Sequence, residues 1–270
     1  MENDEYNGHI INVRDLLVQF DERVILKKIN LEIERGETTV ILGGSGCGKS
    51  TLLRHLIGLR KPEGGSIFVK GRDITTMDEA QMSELLRKVG VVFQSSALFN
   101  SISVGDNVAL PLREHTKLEE STIQIMTKIK LDLVGLSGFE SFMPSELSGG
   151  MKKRAAFARA ISMDPEILFC DEPSAGLDPI VAAGLDHLIL KLKKALRMTI
   201  VVVTHEMASM YLIADRVIML HAGEVIFSGN KENFQKDQHP RVRQFIERRP
   251  EEYGEAEIGK YAKALTTNSF

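Results

Sequence analysis

The chain has 270 residues, 43% of them hydrophobic and 26% charged, with a formal net charge of −3. That is the composition of an ordinary globular protein, long enough for one large domain or two small ones, and it lacks the basic excess of a nucleic-acid binder. The polar opening MENDEYNGHI is not a signal peptide, the longest apolar runs are strand-sized, and two cysteines without C-x-x-C spacing argue against a disulfide frame, so a soluble protein of a reducing cytosol is expected.

Two runs open the chain, HIINVRDLLVQF and RVILKKINLEI, separated by the turn DE. Their alternation predicts a half-buried antiparallel pair. TTVILGG reads as a fully buried strand feeding a glycine loop and a helix from Lys49 to about Gly58, and GGSIFVKG and KVGVVFQ as further strands. From Ser96 to about Arg159 the strand signal fades, and Ile123, Met126, Ile129 and Leu133 recur at helical spacing. EILFCD and TIVVVT are buried strands, and between them Val181, Leu185, Leu188 and Leu192 mark one helix face. A helix from about Met207 to Ala214 and a hairpin, RVIMLHAGEVIFSG, follow. Buried strands alternating with helices predict an α/β core around a parallel sheet, with the helical insert to one side. From about Pro250 the composition turns polar and reads as a tail.

Gly43, Gly44, Ser45, Gly46, Cys47, Gly48, Lys49 and Ser50 match G-x-x-x-x-G-K-[ST] in full, between a predicted strand and a predicted helix. Such glycines let successive backbone N–H groups curl around phosphate oxygens, and the helix N-terminus adds positive potential. Lys49 is expected to reach the β- and γ-phosphates, Ser50 to ligate Mg²⁺ and Thr51 to bind the α-phosphate. Cys47 is expected to serve as a small spacer whose thiol makes the loop sensitive to alkylation. In ILFCDE, a buried strand delivers Asp171 as a second Mg²⁺ ligand, and Glu172 follows as the group that polarises the attacking water. Two adjacent acids at a strand end are costly unless a cation or substrate uses them.

LSGGM directly before a predicted helix, with GGSGCGKS earlier and DEP later, resembles the nucleotide-binding subunit of ABC transporters from about Ile10 to His239. The resemblance implies a P-loop NTPase cassette: a RecA-like α/β core, an N-terminal antiparallel β subdomain and a helical subdomain insert. It assigns residues 8–240 to the ATPase domain, about 96–160 to the helical insert and 241–270 to a C-terminal extension. It implies that Phe20 stacks on adenine, that Gln94 of the Q-loop meets the metal, and that His205 contacts the γ-phosphate. It further implies that Ser148, Gly149 and Gly150 of the signature, with Asp178 of the D-loop, act on ATP held by a second copy in a homodimer. Met151 stands where this family usually has glutamine. With Ser148 as N-cap, it falls at N3, where Gln or Glu completes a capping box.

ALPLREHTKL and MPSELSGGMKKRAAFARAI resemble, more narrowly, the ATPase of Mla-type, Mce-associated lipid transport systems. That likeness implies phospholipid transport between inner and outer membranes, powered by ATP and Mg²⁺ from the cytoplasmic face of a bacterial inner membrane. Implied partners are an integral membrane permease, an Mce-domain lipid-binding protein and a STAS-domain regulator, with no nucleic acid. The stretch from Leu98 to Leu112 is expected to grip the permease, and Tyr253 and Tyr261 to anchor the tail on the partner subunit. Another ABC importer, for an amino acid or small solute, is the alternative. Non-transport ABC ATPases are less favoured, because they usually carry two cassettes, long coiled coils or zinc sites.

Overall fold

A computed structural model of the chain describes residues 8–250. β1 (His9–Phe20) and β2 (Arg23–Glu34) pair antiparallel, as their alternation predicts. β3 (Thr38–Leu42), buried at all five positions, delivers the glycine loop to α1 (Lys49–Leu56). β4 (Gly64–Val69) and β5 (Arg72–Asp73) complete a four-stranded antiparallel sheet in the order β2-β1-β4-β5. α2 (Glu79–Leu86) has no counterpart in the periodicity. It starts in a capping box between Asp78 and Gln81 and buries only Leu85, so it leaves no apolar stripe.

β6 (Val89–Val92) leads into the insert of α3 (Val104–His115), α4 (Glu120–Leu133) and α5 (Gly149–Ala160). The core resumes with β7 (Ile167–Asp171), α6 (Pro179–Leu196), β8 (Thr199–Val203) and α7 (Met207–Ile213). The hairpin of β9 (Arg216–His221) and β10 (Glu224–Asn230) precedes two short helices, α8 (Lys231–Lys236) and α9 (Pro240–Ile246).

The second sheet runs β10-β9-β3-β8-β7-β6, parallel throughout except for β10. Side chains alternate across a strand, so each central strand serves two cores. Ile200 and Val202 of β8 join the cluster under α5, α6 and α7, whereas Val201 and Val203 join the cluster shared with α1 and the antiparallel sheet. Burial on both faces is why these strands read as unbroken apolar runs. Their parallel order also brings the loops after β3, β6, β7 and β8 to one edge, where α/β proteins place their ligand sites.

One expected stripe is corrected. On α4 the inward residues are Ile123, Thr127, Lys130 and Leu131, while Ile129 is 53% exposed. Lys130 can turn inward because its ammonium pairs with the more exposed Asp164. Among the described residues no helix is long and apolar enough to cross a membrane. Tyr253 and Tyr261, with the rest of the tail, lie outside the described residues. Ile123→Ala should lower the unfolding free energy by about 2–5 kcal/mol, and Ile129→Ala should change it by less than about 0.5 kcal/mol, as measured by denaturant titration.

Candidate functional site

The phosphate loop is built by backbone as much as by side chains. Gly48 caps α1 at φ 106°, and a Cβ there would lie 2.7 Å from a Leu26 methyl, so only glycine fits. Gly44, Ser45 and Gly46 are exposed at the rim, and Thr51 follows half-buried in the first turn of α1. Lys49 folds back over the loop and donates to the carbonyls of Gly43 and Gly44 at 2.8 and 2.9 Å. Its ammonium therefore sits in the concavity of the loop, where an anion would meet it. Cys47 is buried, as a small spacer would be, and burial pushes its thiol pKa up despite the pull of Lys49.

β7 carries Asp171 to the same edge, where its Oδ1 accepts from the Ser50 hydroxyl at 3.1 Å. Burial raises the Asp171 pKa, and the adjacent Glu172 adds to the rise. A carboxylate so desolvated is one that a cation would restore to its charged form. Among the described residues no cluster of three His, Cys, Asp or Glu side chains could cage a metal. A hydroxyl and one carboxylate suit Mg²⁺ instead, which takes few protein ligands and completes its shell with water and phosphate.

Glu172 is a non-glycine residue at φ 46°, held there by its N–H bond to the Val203 carbonyl at 2.9 Å. Such a conformation costs about 1–3 kcal/mol and collects at functional sites. It turns the nearly buried carboxylate toward His205, whose Nδ1 lies 2.9 Å from Glu172 Oε1.

Gln94 is exposed just beyond β6, and the sequence reading missed what holds it. Lys153, buried on α5, donates to the Gln94 carbonyl at 2.6 Å. Arg159, two turns along the same helix, donates to the carbonyls of Ala97 and Ser96 at 2.7 and 3.1 Å. Both acceptor residues have positive φ, so the turn needs bracing. Desolvation lowers the Lys153 pKa, and Asp171 and Glu172 counter it. Nothing local in the sequence marks these cations; their long-range partners do.

Phe20 ends β1 partly exposed, with the Arg60 guanidinium 5.0 Å from its ring centre. Ser148 is the N-cap of α5 and accepts from the Met151 N–H at 3.3 Å, as expected. Asp178 caps α6 through the N–H groups of Ile180 and Val181. A Cβ on Gly150 would fall 2.5 Å from Val181, and one on Gly149 would lie 3.3 Å from Leu177. The signature thus packs on the D-loop segment, and among the described residues it shares no hydrogen bond with the phosphate loop of its own chain. Lys49, Ser50 and Asp171 form one group, Glu172 and His205 a second, and the signature stands apart.

Comparison with known proteins gives the family. The ABC transporter family model matches residues 26–175, more than half of the chain. The intermembrane phospholipid transport system ATP-binding protein MlaF of Haemophilus influenzae is 42% identical over 240 residues, covering 89% of this chain and 91% of that protein. The "Probable ribonucleotide transport ATP-binding protein mkl" of Mycobacterium leprae is 43% identical over 239 residues, covering 88% of this chain and 69% of that one. Among solved structures, a dimeric ATP-binding cassette in a post-hydrolysis state, bound to ADP and Pi, matches with a TM-score of 0.75 at 30% identity. The match spans 82% of this chain and 98% of that one.

Met151 contributes its N–H to the Ser148 cap, and a glutamine there would contribute the same group. Helix propensity is also nearly equal for the two residues. Met151→Gln should therefore leave steady-state ATP hydrolysis within a few-fold of the parent; a hundredfold change in either direction would contradict this account of the loop. On the family match, the relatives and the shared cassette fold, the chain belongs to the ABC transporter family as an ATP-binding, ATP-hydrolysing subunit.

Proposed function

We propose that this ATPase powers phospholipid transport between the inner and outer membranes of a bacterium. The observation that carries the reading is the likeness to MlaF, which runs through about nine-tenths of both chains. In the proposed cycle Lys49 and the loop N–H groups hold the ATP phosphates, while Phe20 stacks on the base. Ser50 and Asp171, with Gln94 as a third candidate, hold Mg²⁺, which supplies charge neutralisation of the β- and γ-phosphates. Glu172 orients and polarises water, and His205 steadies the γ-phosphate from the other side.

Because Ser148, Gly149 and Gly150 share no hydrogen bond with their own phosphate loop among the described residues, the reading has two copies pair head to tail, each signature completing the other's site. A dimeric cassette among the solved relatives supports this pairing. A groove of about 910 Å³ between core and insert suits a helical element of a membrane permease. Met77, Met82, Leu86 and Phe93 help to line it, and Pro111 joins them from the stretch expected to grip the permease. The chain then works at the cytoplasmic face of the inner membrane, beneath the permease, with an Mce-domain protein and a STAS-domain regulator as further partners. The mkl relative supports a second reading, with a ribonucleotide or other small solute as cargo.

Glu172→Gln should lower turnover by roughly 10²–10⁴ and leave ATP affinity unchanged; normal hydrolysis by that variant would remove Glu172 from its role. Native mass spectrometry of the detergent-extracted complex tests the cargo. A permease, an Mce protein and bound phospholipid are expected, whereas a solute-binding protein without phospholipid would overturn the reading.

A further inference from the structure

α6 turns an apolar face inward through Ala182, Leu185, Leu188, Ile189 and Leu192, with one carboxylate among them. Asp186 is 4% exposed. A carboxylate so placed is costly unless a donor meets it. The donor is Ser209 on α7, itself buried, whose hydroxyl lies 2.8 Å from Asp186 Oδ2. Burial, reinforced by the charge of Glu206, raises the Asp186 pKa.

The contacts continue toward the site. Glu206 Oε2 accepts from the Ser174 hydroxyl at 3.0 Å, and the Ser209 hydroxyl, whose one proton goes to Asp186, lies 3.4 Å from the same oxygen. Glu206 holds the N-cap position of α7 yet makes no side-chain cap there. Its carboxylate is turned across to Ser174 instead. Two rungs therefore join the same pair of segments: His205 to Glu172, and Glu206 to Ser174. α7 has only seven residues, too few to hold its own position, so tertiary bonds must set where its leading loop lies.

We propose that Asp186, by holding Ser209 and so docking α7 on α6, is a positioning residue that sets His205, just ahead of α7, against Glu172 and ties that pair to the helix capped by Asp178. Asp186 touches no reacting atom. An apolar residue would fill its place in the α6 face at no desolvation cost, so the carboxylate is kept for what it holds. The inference rests on the roles proposed above for Glu172 and His205.

The test is steady-state ATP hydrolysis by the full chain, with each variant's folded fraction measured alongside. Asp186→Ala and Ser209→Ala should each lower kcat roughly tenfold and leave KM for ATP within about twofold. The double variant should be no worse than the poorer single, because both remove one connection. Asp186→Asn still accepts from Ser209 and should restore kcat to within about threefold of the parent. The proposal is overturned if either alanine variant keeps kcat within twofold, if their losses multiply, if KM rises in step, or if Asp186→Asn is as poor as Asp186→Ala. Should Asp186→Ala fail to fold, Ser209→Ala decides: a tenfold loss of kcat supports the proposal and an unchanged kcat overturns it. Glu172→Gln separates the two readings. If it is inactive while Asp186→Ala is active, this inference alone fails; if it is active, the assignment of Glu172 fails first.

Discussion

Asp171 and Glu172 stand side by side at the end of a strand that is buried along its length, and most of the neighbouring chemistry answers that arrangement. Two acids this close repel, and both lose hydration. Ser50 donates to one, the histidine ring faces the other, and the buried ammonium of Lys153 lends positive charge to both. The two carboxylates meet different partners, Asp171 toward the phosphate loop and the strained Glu172 toward His205.

α5 is the other organising element. Its first turn presents the signature, its middle grips the Gln94 carbonyl through Lys153, and its end braces the turn at Ser96 and Ala97 through Arg159. The segment that enters the insert after β6 is thereby fastened to the helix that leaves it. In the proposed assembly, a permease element docked in the adjoining groove would have a short mechanical route to the edge where the acids stand.

What could be read from the sequence was decided by period and by local motif. β3, β7 and β8 were legible because burial on both faces leaves an apolar run, and the phosphate loop because its residues are contiguous. α2 was not, since a helix with one buried residue has no stripe. α4 misled because Lys130 and Thr127 occupy inward positions while Ile129 faces solvent. Lys153, Arg159 and Asp186 were hidden for a common reason. Each is a charged residue inside a helix, and only partners distant in sequence distinguish a buried, bonded charge from a solvated one.

The close approach of Gly150 to Val181 links two elements that the proposed dimer would use on its partner. Without a side chain between them, the start of α5 and the first turn of α6 lack the cushion that would let one slide past the other. In the proposed dimer they would move as a single jaw, so a displacement of the signature by one nucleotide would carry the D-loop with it.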